Sequence, residues 1–239
     1  MTAALEVDVG RRLGEFELEV AFTVESGVSV LFGPSGAGKS LTLALIAGLA
    51  RPDRGTIAIN GEVVTDRARG INVSTQKRRV GMVFQDGLLL PHRTVLDNVA
   101  LAVRQTSGRG ARREIARSWL ERVGAEELVE RRPGSLSGGQ RQRVALARGL
   151  AGNPALVLLD EPLSALDLAV RRELRGLIRT VIVSTGVPAL LVTHDAEEAD
   201  ELGDVVIGYR NGQVTGTRTV DRAPLAGRTA VAGESAEST

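Results

Sequence analysis

The chain has 239 residues, enough to bury a core as one large α/β domain or two small ones. Its 30 Lys and Arg stand against 29 Asp and Glu, so a formal charge of +1 provides no overall field toward nucleic acid or an anionic membrane. The absence of cysteine excludes disulfides, thiolate metal sites and cysteine nucleophiles.

The opening MTAALEVDVGRRLGEFELEV alternates charged and apolar residues and lacks the basic start and apolar core of an export signal. No stretch reaches the roughly 18 uncharged apolar residues of a membrane span, and LTLALIAGLA is too short. Alternation from Phe16 to Val24 predicts a strand, and the continuous apolar run Val28 to Phe32 predicts a buried one. The small-residue stretch GPSGAGKS follows, then a helix that ends near Gly48, with Pro52 just beyond. Strands are expected at Thr56 to Asn60, before the Asn60-Gly61 turn, and at Val80 to Gln85.

From Pro91 to about Arg132 the chain turns helical and Arg-rich, with breaks expected at Gly108, Gly110 and Gly124. Next come the loop PGSLSGGQ, a helix from about Arg141 to Leu150 and a strand from Ala155 to Asp160. A helix from about Leu168 to Ser184, a strand from Ala189 to Thr193, a helix from about Ala196 to Leu202 and a hairpin turning at Asn211-Gly212 complete the pattern. Apolar strands alternating with helices predict a mostly parallel sheet covered on both faces. The stretch from Pro224 is small, polar and aperiodic, and is expected to be a frayed tail.

GPSGAGKS satisfies GxxxxGK[ST] between a strand and a helix, the setting of a phosphate-binding loop. There the amides of Gly36, Gly38 and Lys39 would cradle phosphates, the Lys39 ammonium would neutralise the β and γ groups, and Ser40 would ligate Mg²⁺. ALVLLDEP places Asp160 at the end of a buried strand, where it would hold the metal shell, and Glu161 beside it, able to polarise an attacking water. LSGGQRQRVALARGL puts Ser137, Gly138 and Gly139 just ahead of a helix, a second anion-receptive N-terminus that suggests a second chain.

With these motifs the sequence resembles the ATP-binding cassette ATPases from about Gly27 to Gly212, LSGGQ being the family signature. The resemblance implies a P-loop NTPase core with an antiparallel β subdomain and a helical subdomain inserted at about 88–150, all within one domain, 1–223, ahead of the tail 224–239. It also implies head-to-tail pairing of two cassettes, with Ser137, Gly138 and Gly139 meeting the γ-phosphate held by the partner and Gln140 nearby. The nucleotide would lie along Gly33, Pro34, Ser35, Gly36, Ala37, Gly38, Lys39, Ser40 and Leu41. Gln85 matches the glutamine that senses Mg²⁺ and water. Asp167, in SALD, would cross the dimer interface. His194 resembles the switch histidine that bonds the γ-phosphate and holds Glu161. The aromatic that stacks on adenine in this family would fall near Arg12 and Leu13, neither aromatic, while the strand pattern makes Phe16 a core residue.

ARGINVSTQKRRVGMVFQDGLLLPH is most like the ATPase subunits of molybdate importers, and more loosely those for sulfate, polyamines, iron or maltose. The resemblance implies Mg·ATP hydrolysis that drives uptake of molybdate or tungstate. The partners would be a second cassette, transmembrane permease chains and an external binding protein, with no nucleic acid. The location would be cytoplasmic and peripheral, on the inner face of the membrane. Leu88 to Leu90 would form the surface that docks the permease. The C-terminal β-rich oxyanion-binding domain common in such subunits is expected to be absent. Soluble cassettes acting on ribosomes or DNA usually carry two cassettes or a long coiled-coil insertion, and neither pattern is found.

Overall fold

The computed structural model describes residues 3–221; the expected tail lies outside them. Eleven strands form a single sheet: β1 (Leu5–Leu13), β2 (Phe16–Val24), β3 (Val28–Phe32), β4 (Arg54–Ile59), β5 (Glu62–Asp66), β6 (Ile71–Asn72), β7 (Val80–Val83), β8 (Leu156–Asp160), β9 (Ala189–Thr193), β10 (Val205–Arg210) and β11 (Gln213–Thr219). Their spatial order is β6-β5-β4-β1-β2-β11-β10-β3-β9-β8-β7. Parallel pairing joins β10, β3, β9, β8 and β7, and also β11 to β2 where Gln213 meets Glu19, while β6, β5, β4, β1 and β2 pair antiparallel, as do β10 and β11. The sheet is therefore less parallel than its apolar strands alone suggest.

The continuous apolar runs have a direct physical cause: their residues feed two cores. Val157 and Leu159 of β8 face one core, and Leu156 and Leu158 face the other. In β9, Ala189 and Leu191 are separated from Leu190 and Val192 in the same way. One core is closed by α1 (Lys39–Ala47) with the antiparallel strands, the other by α2 (Val95–Ala100), α3 (Arg109–Arg122), α4 (Gly138–Ala151) and α5 (Leu168–Thr185). The short helix α6 (Ala196–Leu202) follows β9. Among the described residues no helix is long and apolar enough to cross a membrane.

Several boundaries differ from the sequence reading. The N-terminal stretch forms β1, whose Leu5, Val7 and Val9 point inward between charged neighbours. Gly110 lies inside α3 and does not break it; Gly108 is its N-cap, and Gly124, at φ 62°, makes the turn after it. The strand expected to run to Gln85 ends at Val83. Helix α4 starts at Gly138, three residues before Arg141, because the Ser137 side chain accepts the Gln140 N–H while the Gln140 side chain accepts the Ser137 N–H. This reciprocal cap satisfies donors that the two glycines could not.

Candidate active site

The loop Gly33–Ser40 leaves β3 at the C-terminal end of the parallel strands, where open α/β sheets receive their ligands. Gly36 and Gly38 adopt φ of 78° and 100°, the left-handed region that costs glycine little. No side chain caps the start of α1, so its first-turn amides remain available to an anion. A Cβ on Gly33 would stand 2.2 Å from the Tyr209 carbonyl oxygen, which lets the loop leave β3 against β10. The β10–β11 hairpin closes over the loop from the other side: the Gly212 N–H donates to the Ala37 carbonyl at 3.0 Å, and the Glu19 N–H donates to the Gly212 carbonyl at 2.7 Å.

Lys39 is 4% exposed and its Nζ donates to the carbonyls of Gly33 and Pro34, each at 2.8 Å. Burial lowers its pKa, opposed by the nearby carboxylates of Glu161 and Asp160. Ser40 Oγ donates to Asp160 Oδ1 at 2.7 Å across the gap between α1 and β8. Burial raises the Asp160 carboxyl above its usual range, and the Ser40 bond pulls it back. Glu161 takes a left-handed φ of 43°, held by its N–H on the Val192 carbonyl at 3.1 Å. This strained geometry, uncommon for a non-glycine residue, turns its carboxylate to 3.2 Å from His194 Nδ1.

Lys39, Ser40, Asp160, Glu161 and His194 thus converge from β3, β8 and β9, strands adjacent in the sheet though far apart in sequence. Gln85 follows β7 beside β8, and its carbonyl and that of Phe84 accept from Gln142 Nε2. Ser137 and Gln140 are spent on capping α4, and Asp167 caps α5 by accepting the Val170 N–H at 3.0 Å. Among the described residues none of these three hydrogen-bonds to the phosphate loop. Gly138 lines a cavity of about 300 Å³ with Gln85, Asp86, Arg141 and Leu166.

Phe16, expected in the core, packs only against its margin. It is half-buried at the edge of β2, against the site a Gly38 Cβ would occupy, and it lines a cleft of about 400 Å³ with Glu15, Glu17, Gly36, Asn211 and Gln213. Of the three leucines after Gln85, Leu88 is 56% exposed, Leu89 packs on the core and Leu90 is half-buried. No group of three or more His, Cys, Asp or Glu among the described residues could cage a metal. The hydroxyl of Ser40 and the carboxylate of Asp160 are hard oxygen donors that fit a Mg²⁺ completing its shell with water and substrate phosphate.

A model of the ABC transporter family matches residues 18–164. The chain belongs to the ABC transporter family. Its fold is that of the family's ATP-binding cassettes: it superposes with a TM-score of 0.80 on cbiO1 from Clostridium perfringens, part of the ABC transporter complex cbiONQ, at 25% identity over 92% of this chain and 89% of that one. A dimeric ATP-binding cassette in a post-hydrolysis state, bound to ADP and Pi, gives a TM-score of 0.76 at 30% identity, over 92% of this chain and all of that one. In sequence the cassette is 44% identical over 203 residues to the molybdenum import ATP-binding protein ModC of Mycobacterium tuberculosis, covering 82% of this chain and 55% of that protein. It is 40% identical over 211 residues to ModC of Rhodospirillum rubrum, covering 88% and 56%. The chain therefore spans little more than half the length of these curated relatives.

The sequence reading missed residues that support the site from behind. Thr42 and Tyr209 share a buried hydroxyl contact at 3.2 Å that ties α1 to β10. Arg148 donates to the carbonyls of Gly87 and Leu88 at 2.6 and 2.7 Å, holding the segment after Gln85 onto α4. None of these three residues carries a local pattern that could have marked it, because each is defined by partners distant in sequence.

Proposed function

We propose that this cassette is the ATP-hydrolysing subunit of an importer for molybdate or tungstate. The convergence of Lys39, Ser40, Asp160, Glu161 and His194 at the end of three neighbouring strands carries the hydrolytic part of the reading, and the ModC relatives support the cargo. ATP would lie along Gly33–Leu41, its phosphates on the loop amides and Lys39. Bound Mg²⁺, held by Ser40 and Asp160 with Gln85 at the edge, would supply charge neutralisation. Glu161 would accept a proton from the attacking water while His194 holds its carboxylate in place and meets the γ-phosphate. Phe16 would offer an apolar wall for the base.

A second cassette would complete the site through its Ser137, Gly138, Gly139, Gln140 and Asp167. Lys39→Ala is expected to lower affinity for Mg·ATP at least tenfold, read by displacement of a fluorescent nucleotide; unchanged affinity would remove Lys39 from the phosphates. Because burial raises the Asp160 carboxyl, protons should compete for it at a higher pH than for an ordinary carboxylate. The Mg²⁺ concentration needed for half-maximal turnover should therefore rise on acidification, more steeply than ATP protonation alone accounts for. A slope that Asp160→Asn leaves unchanged would exclude this linkage.

The permease would dock from the cytoplasm into a groove of about 310 Å³ lined by Arg79, Met82, Leu101, Arg104 and Arg148, next to the exposed Leu88. Leu101 also borders a cleft of about 390 Å³ holding Arg93, Arg109, Arg112 and Arg113 with Asp97 as its one acid, so the docking segment should be acidic. The deciding experiment is ATPase activity of the cassette–permease complex in lipid with binding proteins loaded with molybdate, tungstate or sulfate. Stimulation by molybdate or tungstate alone supports the proposal. Stimulation by sulfate alone keeps the ATPase and discards the cargo.

A further inference from the structure

Glu198, in the first turn of α6, is a buried acid with no part in the chemistry described above. It is 3% exposed and forms no salt bridge among the described residues; the guanidiniums facing it from α5 are engaged elsewhere, Arg171 with Asp195 and Arg175 with Glu197 and Glu201. Its Oε2 lies 2.7 Å from Thr193 Oγ1. The same hydroxyl oxygen accepts the Asp195 N–H at 3.0 Å, so its proton points to Glu198. Asp195 Oδ1 in turn accepts the Glu198 N–H at 3.1 Å. These three bonds close a ring through the residues on either side of His194, whose Nδ1 lies 3.2 Å from Glu161.

Two further observations bear on the ring, the first of which ties it to the active site. The Thr193 carbonyl accepts the N–H of Gly33, the first residue of the phosphate loop, at 3.4 Å. Among the described residues Glu198 Oε1 is buried with no hydrogen-bond partner. A packing role alone would be met at lower cost by an apolar side chain, since an orphaned buried acceptor is unfavourable.

We propose that Glu198 is a positioning residue for hydrolysis: by gripping Thr193 it sets the backbone on both sides of His194 and so holds the imidazole against Glu161. This rests on the reading of His194 as active in turnover. Burial raises the Glu198 carboxyl, the Thr193 bond lowers it, Asp195 adds to the rise, and Arg175 and Arg171 oppose it. A neutral side chain of the same shape should therefore serve as well, because the Thr193 hydroxyl can donate to an amide oxygen.

The test uses the full chain, with kcat and KM for Mg·ATP, fluorescent-nucleotide affinity and thermal midpoint measured together. Glu198→Ala and Thr193→Val are each expected to lower kcat about tenfold or more, with KM and nucleotide affinity within twofold. Glu198→Gln should recover at least half of the wild-type kcat. Adding Glu198→Ala to His194→Ala should produce no loss beyond that of His194→Ala alone, as expected for residues acting through one group. A normal kcat in Glu198→Ala, failure of Glu198→Gln to rescue, or a fall in nucleotide affinity that matches the fall in kcat would each overturn the proposal. Intact hydrolysis in His194→Ala would instead overturn the reading of His194 and remove the basis for positioning it; the two failures are therefore distinguishable.

Discussion

Replacing Glu161 by glutamine is expected to lower ATP turnover by about 10² to 10⁴-fold while nucleotide affinity stays within twofold. The change keeps the shape of the side chain and the left-handed backbone that the Val192 carbonyl holds in place. It removes only the basic oxygen that stands 3.2 Å from His194 Nδ1. Lys39, Ser40 and Asp160 are untouched, so the phosphates and metal should bind as before and the nucleotide should persist uncleaved between two cassettes. Size-exclusion chromatography with Mg·ATP should then show a stable dimer for this variant and a transient one for the wild type. Turnover within tenfold of wild type would assign the base elsewhere.

Arg78→Met is expected to cost about 3–5 kcal/mol of stability, a large share of the ~5–15 kcal/mol typical of a folded protein. Arg78 is 2% exposed, and none of its partners is a carboxylate. Its guanidinium donates to the carbonyls of Val73, Leu45 and Ile46, each at 2.9 Å, and to Thr65 Oγ1 and Asn72 Oδ1 at 2.9 and 3.1 Å. Leu45 and Ile46 lie at the C-terminal end of α1, where the backbone dipole favours a cation. Burial pulls the Arg78 pKa down, yet arginine keeps its charge in proteins, so the five acceptors compensate for desolvating it. Methionine would take the donor from all five, and among the described residues only the Leu45 carbonyl would keep a second one, the Gly48 N–H at 3.2 Å. Lysine, with three donors from one point, could serve only some of them. The check is the urea midpoint of each variant; a loss below about 1 kcal/mol would show that water replaces the guanidinium.

The parts of the site legible in the sequence are those written in consecutive residues. GPSGAGKS, the pair Asp160 and Glu161, and the stretch LSGGQ are local, and local spacing expresses them; the reciprocal cap of Ser137 with Gln140, equally local, was passed over when the helix was placed from Arg141. The doubly buried strands were equally plain, because a strand covered on both faces has no polar side to interrupt it. What sequence could not express was adjacency: nothing in LLVTHD says that β9 lies between β3 and β8. Buried polar residues were hidden for a related reason. Arg78 reads as surface charge within TQKRRV, and Glu198 reads as one more helix acid in AEEADEL, until their distant partners are seen. The strand β1 was missed because its inward Leu5, Val7 and Val9 are spaced by charges that also suit an exposed segment. Gly110 was read as a break because glycine disfavours helix interiors, but next to the N-cap of α3 that cost is small.

The hairpin that closes over the phosphate loop sets a constraint on biosynthesis. Gly33 and Ala37 leave the ribosome early, whereas their partners Tyr209 and Gly212 are made near the end of the described chain. Until that hairpin emerges, β3 lacks its neighbour β10, and the loop lacks the backbone that fixes Ala37. On the proposed reading of the loop, nucleotide capture would wait for this hairpin, and a cassette interrupted before Gly212 would carry GPSGAGKS without the backbone contact that fixes Ala37.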